Sequence, residues 1–223
     1  MSKAVTIIGT LFLALALAPA RLSGQAPYGD GGIDITVLAH EAIVHTAAGE
    51  RLAPERHVGQ VGLALGVPTP LRALRVHGHV LTSTQGQNDL RSLDVGLTLG
   101  PFLARALVLE AAFAQRASYA PETGLAHGRV AEFARVGARV RVPLGRSGFA
   151  LHVLGSSYLA TNEPEDADDA VTGWLGESSV SYRVRRFPVT AMLGYRIERF
   201  RVFTVEQEVS SLTFSLGVNM LGR

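Results

Sequence analysis

Cysteine is absent from the 223 residues, tryptophan occurs once, and the only lysine is Lys3. Without cysteine there is neither a disulfide scaffold nor a lipoprotein anchor. Charged residues make up 18% of the chain, few for a soluble protein, while the mildly apolar balance argues against disorder. Beyond the first twenty residues no stretch approaches the roughly 20 apolar residues of a membrane-crossing helix. No window longer than about two turns holds a 3.6-residue apolar period either. Length alone fits one large all-β domain or two small domains.

Residues 1–20 carry Lys3, an apolar run from Val5 to Leu17 and then Ala18-Pro19-Ala20, the small-x-small form of a cleavage site. They read as a secretory signal peptide cut after Ala20, with Gly24-Gln25-Ala26 as a second possible site. Residues 21–31 follow as an N-terminal extension. Removing the leader takes Lys3 and no acid, so 21 cations and 19 anions become 20 and 19. The mature chain is nearly neutral, arginine supplies all its cations, and no basic stripe with interleaved aromatics points to nucleic acid.

What the sequence does have is alternation. Leu212, Phe214, Leu216, Val218 and Met220 interleave with Ser211, Thr213, Ser215, Gly217 and Asn219, a period of two that asks for an apolar medium on one face and a polar one on the other. The same pattern recurs from Ile33 onward, giving about ten strands, with eight as the alternative. The expected fold is all-β: a single closed antiparallel transmembrane barrel over residues 32–220. Val67–Pro70, Gly100–Phe102, Pro143–Gly148 and Arg185–Pro188 read as compact turns. Glu41–Arg56, Ser118–Arg129 and Ala160–Thr172 read as longer loops, with Ser83–Asn88 and Arg201–Glu206 as shorter members of that set. Val61-Gly62-Leu63-Ala64-Leu65-Gly66 recurs as Val95-Gly96-Leu97-Thr98-Leu99-Gly100, marking alternate strands that descend into a short turn.

A sheet spans hydrocarbon only if it closes, because every backbone donor and acceptor must be paired. An arginine or lysine facing lipid near the midplane costs roughly 2–4 kcal/mol, which assigns the charged face to the lumen. The lumen-lining set is Arg75, His77, His79, Asp94, Glu110, Arg116, Arg135, Arg139, Arg141, His152, Glu177, Arg183, Arg196 and Glu198. Turn positions predict Glu177 opposite Arg196, Arg139 opposite His152, Gly62 opposite His77 and Gly96 opposite Glu110. Phe102, Phe149, Tyr182 and Phe187 near the short turns, with Phe113, Phe133, Tyr158, Trp174 and Phe200 toward the loops, suggest two interfacial girdles, although Phe133 breaks the parity of its strand.

Three constellations invite a chemical reading. His40-Glu41-Ala42-Ile43-Val44-His45 has one residue too many for a zinc-protease helix and reads as a strand end. His77 and His79 share a strand face and could bind metal, but read first as solvated lumen polars. The acidic run Asn162 to Asp169 lacks the glycine and spacing of a calcium loop. No catalytic constellation and no cofactor site is recognised.

Leader, alternation, turn asymmetry and closing strand together resemble the small outer-membrane β-barrel proteins of Gram-negative-type bacteria, over roughly residues 30–220. The resemblance implies outer-membrane lipid and the barrel assembly machinery as partners. In that group the last strand commonly ends in Phe or Trp; here Met220 stands there, followed by Leu221-Gly222-Arg223. Lipid A deacylases are similar in size but carry a His-x-Ser that His152-Val153-Leu154 does not match; omptin-type proteases are longer and need paired acids with a His on external loops. The expected function is a structural or surface-interaction barrel with a narrow Arg-rich lumen. A channel favouring a small anion and a soluble lipocalin-like binding barrel are the alternatives, and the solute or surface ligand is open.

Overall fold

The computed structural model describes residues 32–48, 51–52, 54–71, 73–84, 91–103, 106–120, 125–145, 147–160, 172–184, 187–202 and 205–220. The leader, the N-terminal extension through residue 31 and the acidic run 162–169 lie outside these. Ten long strands follow one another: β1 (Ile33–Ala48), β3 (Arg56–Pro68), β4 (Leu74–Ser83), β5 (Arg91–Phe102), β6 (Leu107–Ala120), β7 (Leu125–Leu144), β8 (Phe149–Ala160), β9 (Thr172–Arg183), β10 (Val189–Val202) and β11 (Val205–Met220). A two-residue rung, β2 (Arg51–Leu52), pairs with the end of β1. The long strands pair in chain order, and β11 returns to β1 from Ile33↔Met220 to Ala48↔Val205. The sheet is therefore a closed antiparallel barrel with ten spanning strands rather than eight.

The two faces separate as the alternation predicts. Val37 and Leu63 point outward and are 56% and 54% exposed, whereas Asp94 points inward and is fully buried. This excludes the lipocalin-like reading, which needs the leucines and valines inside and the arginines outside. The repeat sits on β3 and β5, both descending to short turns. Phe102, Phe149, Tyr182 and Phe187 are exposed at the short-turn rim, and Phe113 and Trp174 are exposed higher up. Phe133, Tyr158 and Phe200, by contrast, turn inward and are buried. Phe133 is thus an interior residue, which explains its parity.

The strands run further toward the other rim than the alternation shows. β1 continues through Ala48, β6 through Ala120, β7 starts at Leu125, and β10 and β11 are separated by residues 203–204 alone, so most of the loops expected at 41–56, 118–129 and 201–206 are ladder. Above the bilayer the outer face meets water, so the apolar half of the pattern fades while backbone pairing persists. The outer face there is polar: Gln115 donates to Glu132 across β6–β7 at 2.8 Å, and Arg199 pairs with Glu206 across β10–β11.

Register follows the expectation at one turn and departs at three. Arg196 does oppose Glu177. His152 faces Arg141 instead of Arg139, because the β7–β8 hairpin closes between Leu144 and Phe149, with Gly148 at a φ of 89°. Gly62 opposes Leu81, and His77 lies between Gly66 and Gly96, because β3 extends through Pro68 before turning. Gly96 opposes Ala112 because the β5–β6 ladder is irregular between Leu99 and Phe102. Every departure is by an even number of residues, so each side chain keeps its face.

Gly62 has a packing reason beyond its turn of the sheet. A Cβ there would lie 1.9 Å from the Val80 carbonyl oxygen, a backbone atom held in the β3–β4 ladder. Gly62→Ala is expected to cost about 1–3 kcal/mol through overpacking, read from denaturant unfolding of the folded barrel in detergent. An unchanged midpoint would show that the wall relaxes freely at this bend.

Candidate functional site

The interior is built from the even-numbered faces of some strands and the odd-numbered faces of others, and it forms levels along the barrel axis. Nearest the short turns, Arg75 reaches over Gly66 to Asp34 at 2.6 Å and to the Gly32 carbonyl at 3.0 Å, while Asn219 donates to the other Asp34 oxygen at 2.6 Å. This links β1, β4 and β11 across the strand that supplies no side chain.

A belt of ion pairs occupies the middle. Arg139 donates to Glu110 at 2.9 Å and lies 3.9 Å from Glu177. Arg135 lies 3.2 Å from Asp94 and 3.7 Å from Glu110. Arg116 joins Asp94 and Glu198, each at 2.5 Å, and donates to the Tyr158 hydroxyl at 2.9 Å. Tyr158 in turn donates to Glu198, and Arg196 donates to the other Glu198 oxygen at 2.7 Å. Because β6, β8 and β10 are not neighbours, the Arg116–Tyr158–Glu198 contacts cross the lumen instead of running along the wall.

Above the belt the interior holds two apolar clusters, with Thr46, Gln60 and Gln207 buried at the same end. Ala114, Phe133, Leu154, Leu175 and Phe200 form one buried cluster with the Tyr158 ring, and Ala42, Val44, Val58 and Val209 form a second. The Phe133 ring lies 4.8 Å from that of Tyr158 and 5.6 Å from that of Phe200.

Below the belt a cavity of about 270 Å³ runs from the short-turn rim, at Pro188 and Asn219, up to Leu154 beneath the apolar level. His77, His79, His152, Arg139 and Arg183 line it. His152 shares a 2.8 Å hydrogen bond with Ser181, and His79 is 3.7 Å from Asp94. Arg183 makes no ion pair among the described residues. Arg141 faces His152 from β7.

All fourteen residues assigned to the lumen from the sequence point inward and are buried or half-buried. Residues that the sequence reading left out complete the network: Asp34 and Asn219 at the lower level, Tyr158 in the belt. The signal was available, since Tyr158 shares parity with His152 on β8, and Phe200 with Arg196 and Glu198 on β10. His40 faces inward while His45 faces out, so the two histidines of the protease-like motif lie on opposite sides of one strand. Among the described residues no three His, Asp or Glu side chains converge as metal ligands.

A closed ten-stranded barrel with an apolar exterior and a charged interior defines the class: this is the fold of the outer-membrane β-barrels. Its fold matches the outer membrane protease OmpT from Escherichia coli with a TM-score of 0.51 at 10% identity, over 89% of this chain and 99% of that one. The translocator domain of the autotransporter NalP from Neisseria meningitidis gives 0.45 at 8% identity over 96% of each chain. An outer membrane channel from Pseudomonas putida F1 gives 0.45 at 11% identity, over 92% of this chain and all 100% of that one. No protein-family model matches the chain, and no curated protein matches it by sequence. At such identities the likeness is one of fold.

Proposed function

We propose that the protein is a closed, non-conducting outer-membrane barrel of structural or surface-interaction type. It would be exported by its leader, folded by the barrel assembly machinery and seated in outer-membrane lipid with its short turns toward the periplasm. The observation that carries this reading is the filling of the interior: a cross-lumen ion network lies directly beneath two buried apolar clusters. An aqueous path for a small anion would need the Phe133 level to open and the Arg116 contacts to break together. Arg75, Arg116, Arg135, Arg139 and Arg196 are engaged with carboxylates and so act as struts.

The purified protein is expected to be silent in planar bilayers, to fractionate with the outer membrane and to show heat-modifiable gel mobility. Single-channel conductance that disappears in the Arg139→Ser, Arg141→Ser double variant would replace this reading with the anion channel. Recovery in the soluble periplasm would overturn the membrane assignment itself.

A further inference from the structure

The wall chemistry of the cavity below the belt is unbalanced. Five arginines and three carboxylates line it. Arg75 is held by Asp34 and Arg139 by Glu110, while Arg135 and Arg196 are held by Asp94 and Glu198 from outside the cavity. The cation without a close ion pair among the described residues is Arg183, on β9 next to the β9–β10 turn and so beside the mouth, which interacts with Asp34 only at longer range. Deeper in, both ring nitrogens of His77 are buried without a hydrogen-bond partner, as is Nδ1 of His152. A buried polar atom without a partner costs free energy unless something in the cavity supplies one. Gly66 and Gly96 flank His77 on β3 and β5, so no neighbouring side chain covers its ring in the ladder.

We infer that this cavity is a binding site for a small phosphate-bearing solute that enters from the short-turn side. A neutral imidazole presents one N–H donor and one lone pair, so His77 asks for a ligand group that both accepts and donates. A hydrogen phosphate group does both. Its oxygens accept from an imidazole N–H deeper in the cavity, its hydroxyl donates to an imidazole lone pair or to Glu110, and Arg183 lines the same cavity nearer the mouth. Arg183 also supplies the charge attraction that a hydroxyl-only ligand would not use. The volume exceeds what inorganic phosphate fills, which leaves space for an organic substituent, as in a phosphate monoester. Entry from the short-turn side rests on the proposed closure of the lumen by the apolar clusters. The site does not depend on whether the barrel conducts, and it is assayed in micelles.

The test is a titration of the folded full-length protein in detergent with inorganic phosphate, followed by calorimetry and phosphorus NMR. Saturable binding at one site per barrel is expected, weakened roughly tenfold or more in Arg183→Gln through loss of a charge-assisted hydrogen bond. His77→Phe should weaken it as well, with heat-modifiable mobility verifying that both variants fold. Sulfate, which at neutral pH has no hydroxyl to donate, should bind more weakly than phosphate. Absence of saturable binding, or equal affinity in wild type and both variants, overturns the site; sulfate binding as tightly as phosphate overturns the assignment of ligand class.

Discussion

Arg116→Met is expected to lower the unfolding free energy of the barrel by about 3–5 kcal/mol, the usual cost of removing one partner from a buried ion pair. Arg116 is 4% exposed and bridges Asp94 and Glu198, which sit on different sides of the lumen. Removing its guanidinium leaves Asp94 to Arg135 and Glu198 to Arg196, and takes from the Tyr158 hydroxyl the hydrogen bond that Arg116 donates. Methionine keeps most of the volume, so the loss reports charge and hydrogen bonding more than a cavity. Adding Asp94→Asn should recover part of it, because one of the stranded charges is then gone, and the coupling is read from the double-mutant cycle. The measurement is guanidinium unfolding in lipid vesicles followed by Trp174 fluorescence. A change below about 1 kcal/mol would mean that water reaches the pair and screens it.

Leu216→Arg should cost roughly 2–4 kcal/mol in the same vesicle assay, while Leu52→Arg should stay within about 0.5 kcal/mol. Leu216 is the central member of the outward row Leu212, Phe214, Leu216, Val218 and Met220 on β11, and Leu52 lies on β2 at the opposite rim. Their exposures are 46% and 84%, so solvent exposure alone would predict two near-neutral substitutions. Only a hydrocarbon medium around the first and water around the second separates them. Two equally small effects would show that the apolar belt is not in lipid.

Much of this was legible in one dimension because a membrane strand repeats every two residues and each face meets a single medium. Arg135, Arg139 and Arg141 could be placed inside from their positions alone, and Asp34 and Tyr158 could have been placed by the same rule. Strand ends were less legible. Past the bilayer the outer face meets water, so the outward half of the pattern no longer marks that β1 runs on to Ala48 or that β7 begins at Leu125. Register was legible only to its parity. The Gly62–Leu81 and Arg141–His152 pairings depend on how many residues each turn consumes, which the backbone decides by closing the hairpin.

By itself the sequence determined the barrel class and which strand positions share a face, because a two-residue period and the cost of a charge in hydrocarbon favour a membrane barrel. The structure was needed to exclude the lipocalin-like alternative and to place Phe133, Tyr158 and Phe200 inside. The tertiary structure decided who meets whom inside. Arg116 finds Glu198 and Phe133 closes on Phe200 only because the closed sheet brings non-neighbouring strands within side-chain reach across the lumen, while Arg75 finds Asp34 over Gly66 of the intervening β3 and Phe133 meets Tyr158 on the adjacent β8. The geometry of those contacts exists only once β11 has paired with β1.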